Sequence, residues 1–370
     1  MNSRPSLPAG MWMLVLSVTC ASGAEIAWPT RVADTNSPFT VISGDPPREV
    51  DRVGHARVFH LDRADGGDRY LIVTTYARDR GNPQAVSVSH ARGVCRLGMQ
   101  RHNGSTAVFR PTTAADPRGL FVYLTGIIGL TPPEETLVET FRAAGWHTLI
   151  SETSFNFTRR RSVMVAPETL DATARQLGRD TNDHLADKAY AVEAMLRVIA
   201  KDHPDLRTRP RVLAGGSAGS IAVPAVAARI GGSAAFILIG AGGNVGRILC
   251  ESSLEPVSLY QLTRDGAQTY RTRLDEATRQ RMAAAIYAHT PLDPLLLAPR
   301  MRGQPILMMR GELDQMVPTA TNDLLWQALD RPNRWSLPVN HLVLFGMLQF
   351  QSGTILRWTE QALAGGNTAP

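Results

Sequence analysis

Lysine is nearly absent from this 370-residue chain: Lys188 and Lys201 are the only two, against 37 arginines and 33 acidic residues. The formal charge of +6 is spread along the chain, with no basic run interleaved with aromatics, which excludes a nucleic-acid signature. The densest cluster, Arg159-Arg160-Arg161, reads as a solvated loop, with contact to an anionic ligand as the alternative. Cysteine is scarce as well, at Cys20, Cys95 and Cys250. Neither paired cysteines nor a His-Glu-x-x-His spacing occurs, so no metal centre is expected. There is no internal repeat, no low-complexity segment and, past the first two dozen residues, no apolar run long enough to span a membrane.

Met1 to Ala24 carries Arg4, an apolar stretch from Met11 to Val18 and small residues ending Ser22-Gly23-Ala24, the plan of a secretory signal peptide. A secreted or periplasmic protein is expected. Cys20 offers lipid anchoring as a second possibility, although Ser17-Val18-Thr19 before it departs from a lipoprotein signal. After removal of this segment Cys95 and Cys250 remain, and they read either as a disulfide formed in an oxidising compartment or as two buried free thiols.

Residues 25–118 are rich in short alternating runs such as Ala56 to His60 and Tyr70 to Tyr76, bounded by turn clusters, and read as antiparallel strands. From Gly119 apolar strands alternate with amphipathic helices, the pattern of an α/β fold with a mostly parallel sheet covered on both faces. The expected strands are Leu120 to Leu124, His147 to Ile150, Arg211 to Ala214, Ala234 to Gly240, Pro305 to Met309 and Trp335 to Asn340. Helices are expected over Pro133 to Ala144, with Thr131 as N-cap and Gly145 as stop, and over Asp183 to Ala200 and Ser220 to Ile230. Between about 250 and 302 the alternation breaks. Two helices, Val257 to Leu274 and Glu276 to His289, are expected there as a lid above the carboxyl edge of the sheet.

Gly215-Gly216-Ser217-Ala218-Gly219 lies between an expected strand and an expected helix, which places Ser217 on a tight elbow with its hydroxyl pushed outward. A nucleophilic serine needs a base, and a carboxylate to orient the base. Only His289 and His341 follow Ser217; His341 falls just past the last expected strand, whereas His289 ends a lid helix and suits capping. Gly311-Glu312-Leu313-Asp314 follows the preceding strand and offers Asp314 as the acid, with Glu312 as competitor.

With serine, acid and histidine in that order at three strand ends, the chain from about Gly119 to Ala364 resembles the α/β-hydrolase superfamily. The resemblance rests on Gly215 to Gly219, on Gly311-Glu312-Leu313-Asp314-Gln315-Met316-Val317-Pro318 and on His341. It implies that Ser217 attacks a carbonyl carbon, His341 relays the proton and Asp314 holds the imidazole. It further implies an oxyanion hole made by the N–H of Ala218 and one from the loop Thr125-Gly126-Ile127-Ile128-Gly129. Thr125-Gly126 replaces the family's usual His-Gly, and this leaves Ile127 or Gly126 as the second donor. Gly216, where many relatives carry a larger residue, keeps the surroundings of the serine small.

The expectation is a serine hydrolase cleaving a small-molecule carboxylic ester through an acyl-enzyme, without cofactor or metal. A peptidase or amidase of the same fold, or a catalytically silent binding protein, are the alternatives. Gly240-Ala241-Gly242-Gly243-Asn244-Val245-Gly246 looks like a glycine-rich dinucleotide turn, but its third glycine comes one residue late, and it reads as a loop at a strand's carboxyl end.

Overall fold

Gly119–Leu124 is apolar at nearly every position and buried at all of them, and so is Ala235–Ile239. Strands of this kind need cover on both faces, and the protein provides it. In the computed structural model, which describes residues 25–32, 39–53, 56–64, 66–76, 86–91, 94–98, 104–152, 163–165, 167–254, 257–262, 269–272 and 274–365, ten strands form one sheet. They are β1 Arg48–Val53, β2 Ala56–Ala64, β3 Gly67–Val73, β4 Gly104–Arg110, β5 Gly119–Leu124, β6 Trp146–Ser151, β7 Arg211–Gly216, β8 Ala235–Ile239, β9 Ile306–Gly311 and β10 Asn333–Leu337. Their order across the sheet is β10-β9-β8-β7-β5-β6-β4-β3-β2-β1. β5 to β10 are mutually parallel, and β1 to β4 run as an antiparallel meander joined to them where β4 pairs with β6. The expected α/β class, with a mostly parallel sheet and antiparallel strands at the amino-terminal side, is the class observed.

Alternate residues of β5 feed two cores. Leu120, Val122 and Leu124 pack with α2 (Leu170–Asp202) and α3 (Ala218–Ile230). Phe121 and Tyr123 pack with Leu137, Val138 and Phe141 of α1 (Pro132–Ala143) and with Ile355 and Trp358 of the carboxyl-terminal helix Leu348–Leu363. Burying aliphatic and aromatic side chains of this size contributes on the order of 1.5–3 kcal/mol each. The chain runs from β5 outward to β6 and returns to β7 on the other side of β5. Reversals of this kind open a crevice at the carboxyl ends of the strands, here between β5 and β7.

Two expectations are corrected. Val257 to Leu274 is not a helix: Val257–Leu262 and Thr269–Thr272 are antiparallel strands, and the first also pairs in parallel with Val163–Val165. Val257, Tyr260 and Thr269 favour strands, and the partner strand lies far away in sequence. The insertion is therefore mixed: after the short helix α4, Val245–Glu251, one helix of the expected pair is present as α5, Glu276–Ala288. α2 begins at Leu170, thirteen residues before the expected start; its first turns bury only the narrow stripe Leu170, Ala174 and Gly178, too weak an apolar pattern to mark the helix. At Gly178 a Cβ would lie 2.7 Å from both the Cβ of His289 and the carbonyl oxygen of Ile286, so α2 and the end of α5 meet only through glycine.

The inner face of α2 carries buried polar groups, among them Asp183, His184, Asp187 and Lys188. Lys188 is 1% exposed, and its Nζ donates to the carbonyl of Ser151 at 2.9 Å. Burial pushes its ammonium down to about 7, against the opposing pull of Glu152 and Asp187. A lysine with a lowered folded value has shed its proton in the native state at a pH where the unfolded chain, titrating near 10.4, still holds it. Between about pH 7 and 10 the unfolded state therefore binds more protons, and stability rises with pH in that window. Denaturant unfolding of wild type and Lys188→Met across this range should show an alkaline gain in the wild type that the variant lacks. Parallel curves would mean that Lys188 remains charged in the folded protein.

Candidate active site

Strand β7 ends at Gly216, α3 starts at Ala218, and Ser217 between them has φ 52° and ψ −121°, a conformation that ordinary residues rarely adopt. Hydrogen bonds hold it there. The N–H of Ser217 donates to the carbonyl of Ile239 at 2.8 Å. The buried Ser220 hydroxyl is shared between the carbonyls of Gly215 and Ile239 and accepts the N–H of Ile239 at 2.8 Å. A Cβ on Gly219 would fall inside the carbonyl of Leu124, and one on Gly215 would lie 2.7 Å from the Gly219 carbonyl carbon. The spacing of the motif is thus a steric requirement of one strand end crossing over another.

Gly216 has a more specific cause than sequence suggests. A Cβ there would lie 2.6 Å from both the Glu134 Oε1 and the Tyr123 hydroxyl, and 2.7 Å from the Phe345 ring. A buried carboxylate and phenol fill the space a side chain would take.

Past β9 the chain turns at Glu312 to Gln315. Asp314, 6% exposed, accepts the N–H groups of Met316 and Val317 on Oδ1, both at 2.9 Å. Its Oδ2 accepts from His341 Nδ1 at 2.6 Å, and His341 Nε2 lies 3.0 Å from the Ser217 hydroxyl. A proton on Nδ1, donated to the carboxylate, leaves the Nε2 lone pair facing that hydroxyl. His341 is 4% exposed and opens the short helix His341–Gly346, whose N-cap Asn340 accepts from Val343 N–H at 3.0 Å; the Phe345 ring packs 5.0 Å from the imidazole. The backbone of Glu312 and Leu313 donates to Leu337 and Val339, stitching the acid turn to the segment that delivers the histidine. The side chain of Glu312 is exposed, so of the two carboxylates considered Asp314 is the one that meets the imidazole. His289 is the C-cap of α5.

The loop after β5 lies against the same elbow. A Cβ on Gly126 would be 3.4 Å from the Cβ of Ser217. The loop closes on itself through Gly129 N–H to the Gly126 carbonyl at 3.3 Å, and Thr125 N–H is anchored on the Ser151 carbonyl at 3.1 Å. Neither Ala218 N–H nor Ile127 N–H has an acceptor among the described residues. Chemically, the arrangement presents a hydroxyl hydrogen-bonded to an oriented base, with amide donors on two neighbouring segments.

The insertion reaches the site at the acid turn, where Ser253 N–H donates to the Gln315 carbonyl at 2.8 Å and the Ser252 hydroxyl to that of Met316 at 2.7 Å. A cavity of about 340 Å³ opens there, lined by Cys250, Ser252, Leu274, Arg279, Asp314 and Thr319 among others, though by neither Ser217 nor His341. Cys250, in the helix Val245–Glu251, is a free thiol here, and burial pushes it up to about 12. The side chain of Cys95 lies outside the described residues, as do Cys20, the rest of Met1 to Ala24 and Arg159 to Arg161. The glycine loop Gly240 to Gly246 is packed by protein: added Cβ atoms would meet Thr321, Leu295 and Ala283. Among the described residues no group of three or more His, Cys, Asp or Glu side chains is placed to hold a metal ion, and no helix is long and apolar enough to cross a membrane.

Sequence reasoning missed Tyr123, Glu134 and Ser220. The signal for Glu134 was available, because it stands three residues after the N-cap Thr131 as in a capping box, but its contact with Gly216 was not. The strain at Ser217 gives a direct test. Ser217→Gly should raise stability by about 1 kcal/mol, the strain relief exceeding the added chain entropy. Urea unfolding of the two proteins measures it, and a loss of stability would mean that the elbow conformation is not strained.

Neither a protein-family model nor a curated protein sequence matches the chain. Among solved structures the chain is similar to Est1E from Butyrivibrio proteoclasticus, at 11% identity and a TM-score of 0.43, over 75% of this chain and 99% of that one. It is similar to the esterase domain of a Rhodothermus marinus protein at 16% identity and a TM-score of 0.41, over 76% and 98%. A puromycin hydrolase is similar at 15% identity and a TM-score of 0.45, over 84% of this chain and 46% of that one. At this distance the chemistry has to be argued from the site itself.

Proposed function

We propose that the protein is a serine hydrolase that cleaves a carboxylic ester through an acyl-enzyme. The carrying observation is the continuous chain from Ser217 hydroxyl to His341 Nε2 at 3.0 Å and from His341 Nδ1 to Asp314 at 2.6 Å, seated on a strained elbow. Ser217 attacks the carbonyl carbon as its proton passes to His341 Nε2. The imidazolium so formed is stabilised by Asp314, whose second oxygen is fixed by two backbone amides. The N–H groups of Ala218 and of Ile127 or Gly126 take the oxyanion. His341 then protonates the departing alkoxide, and water, deprotonated by the same nitrogen, releases the acid and restores the serine.

Ser217→Ala and His341→Ala should each lower kcat by on the order of 10⁴ or more, and the double variant should lose little beyond either, because the two groups act as one unit. Asp314→Asn should cost roughly 10⁴ by presenting the wrong imidazole tautomer, whereas Glu312→Gln, on an exposed side chain, should leave kcat nearly unchanged. Additive losses in the double variant, or a larger effect at Glu312, would refute the assignment. A fluorophosphonate that fails to label the peptide carrying Ser217 would favour a binding protein; peptide amides turned over faster than esters would favour an amidase.

Export follows from the leader-like Met1 to Ala24. Intact mass of the protein recovered from the exported fraction should correspond to a chain starting near Glu25. Absence of the protein from that fraction would refute export, and a mass with acyl chains on Cys20 would mean a lipid anchor.

A further inference from the structure

Glu134 is 1% exposed, and three hydrogen bonds end on its carboxylate. Oε1 accepts from the Tyr123 hydroxyl at 2.8 Å; Oε2 accepts from the N–H and the hydroxyl of Thr131, at 2.8 and 2.5 Å. These partners come from different parts of the site. Tyr123 is the penultimate residue of β5, Thr131 closes the loop that carries Gly126 and Ile127, and Oε1 fills the space beside Gly216, next to Ser217. Upstream the loop is anchored by Thr125 N–H on Ser151, and in the middle Gly129 N–H bonds back to the Gly126 carbonyl. Ile128 at its tip is exposed. At the downstream end the carboxylate joins the loop to both the sheet and the elbow.

We propose that Glu134 is a positioning residue for the oxyanion donors, holding the loop from Thr125 to Thr131 in register with the elbow at Gly216 and Ser217. The inference rests on the reading of Ser217 as nucleophile and of Ala218 and Ile127 as donors. Oxyanion donors work only within about 2.7–3.1 Å of the developing charge, so a small shift of one segment against the other weakens transition-state binding and leaves substrate binding nearly intact. A residue that merely capped α1 would affect stability without that selectivity. Burial and the neighbouring Glu134 push the Tyr123 phenol well above its ordinary value, in keeping with a neutral hydroxyl that donates to a carboxylate.

The test uses the full chain, assayed well below each variant's melting temperature, on an ester whose turnover Ser217→Ala abolishes. Glu134→Ala should lower kcat by about 10²-fold, the cost of a misplacement of about 1 Å, with KM within about threefold. Inactivation by a fluorophosphonate should slow by a similar factor, because the phosphoryl oxygen uses the same donors. Glu134→Gln should recover most of the loss, since its amide oxygen can serve Thr131 while the Tyr123 hydroxyl turns to accept from the amide nitrogen. Thr131→Val keeps the backbone bond, and it should lower the melting temperature and cost less in kcat than Glu134→Ala. Tyr123→Phe should cost roughly tenfold in kcat, and it supplies the readout if Glu134→Ala does not fold. Wild-type kcat and inactivation rate in Glu134→Ala, or in Tyr123→Phe where the former does not fold, would overturn the inference while Ser217→Ala stays inactive. Turnover that survives in Ser217→Ala would instead bring down the nucleophile assignment and this inference with it.

Discussion

The site depends on one close approach, that of Gly219 to the carbonyl of Leu124. It lets the first turn of α3 rest on the end of β5, and with Tyr123 level with Ala214 and Leu124 with Gly215, the two strands finish together. Gly126 is consequently beside Ser217 rather than a strand's width away. Any side chain at position 219 would lift the helix, and the hydroxyl would part from the loop that faces it. The positive φ of Ser217 follows from the same crossing, since the chain must reverse within one residue. Strain of this kind costs about 1–3 kcal/mol, and the bonds from Ser217 N–H and Ser220 to Ile239 offset it through the neighbouring strand.

The second half of the site is organised by backbone rather than by side chains. Asp314 meets His341 correctly because Met316 and Val317 N–H groups fix one carboxylate oxygen and leave the other to the imidazole. Both residues sit on turns bonded to one another through Glu312, Leu313, Leu337 and Val339. A displacement of β10 would carry the acid turn and the histidine together.

Legibility in the sequence followed the range of the interactions involved. Ser217, Asp314 and His341 could be read because each follows an apolar run, and the strand, the turn and their order are local properties. The choice between Asp314 and Glu312 was readable only as a preference, because both lie on one turn and only the fold directs one of them to the imidazole. Val257–Leu262 was read as helix because its strand partner, Val163–Val165, is remote in the chain. The early turns of α2 were unreadable for a related reason, since Gly178 is a poor helix former and the stripe through Ala174 is only weakly apolar until α5 packs against it. Gly216 carried a steric message about Glu134 and Tyr123 that no local pattern contains.

Glycine-rich loops at the carboxyl edge have little stiffness of their own, and the protein stiffens them with buried carboxylates saturated by nearby donors. Glu134 closes the loop after β5 with three donors. Asp293, fully buried, takes the N–H groups of Asn244, Val245 and Leu295, and so fixes the far end of the loop after β8. Burial pushes Asp293 up to about 6, which leaves it mostly ionised at neutral pH. Asp314 does the same after β9 but keeps one oxygen for the imidazole. A carboxylate whose two oxygens both meet local neutral donors acts as a rigid joint, whereas one with an oxygen directed at a titratable ring stabilises charge on that ring. The difference between a joint and a partner of the imidazole at this edge is thus where the remaining oxygen points.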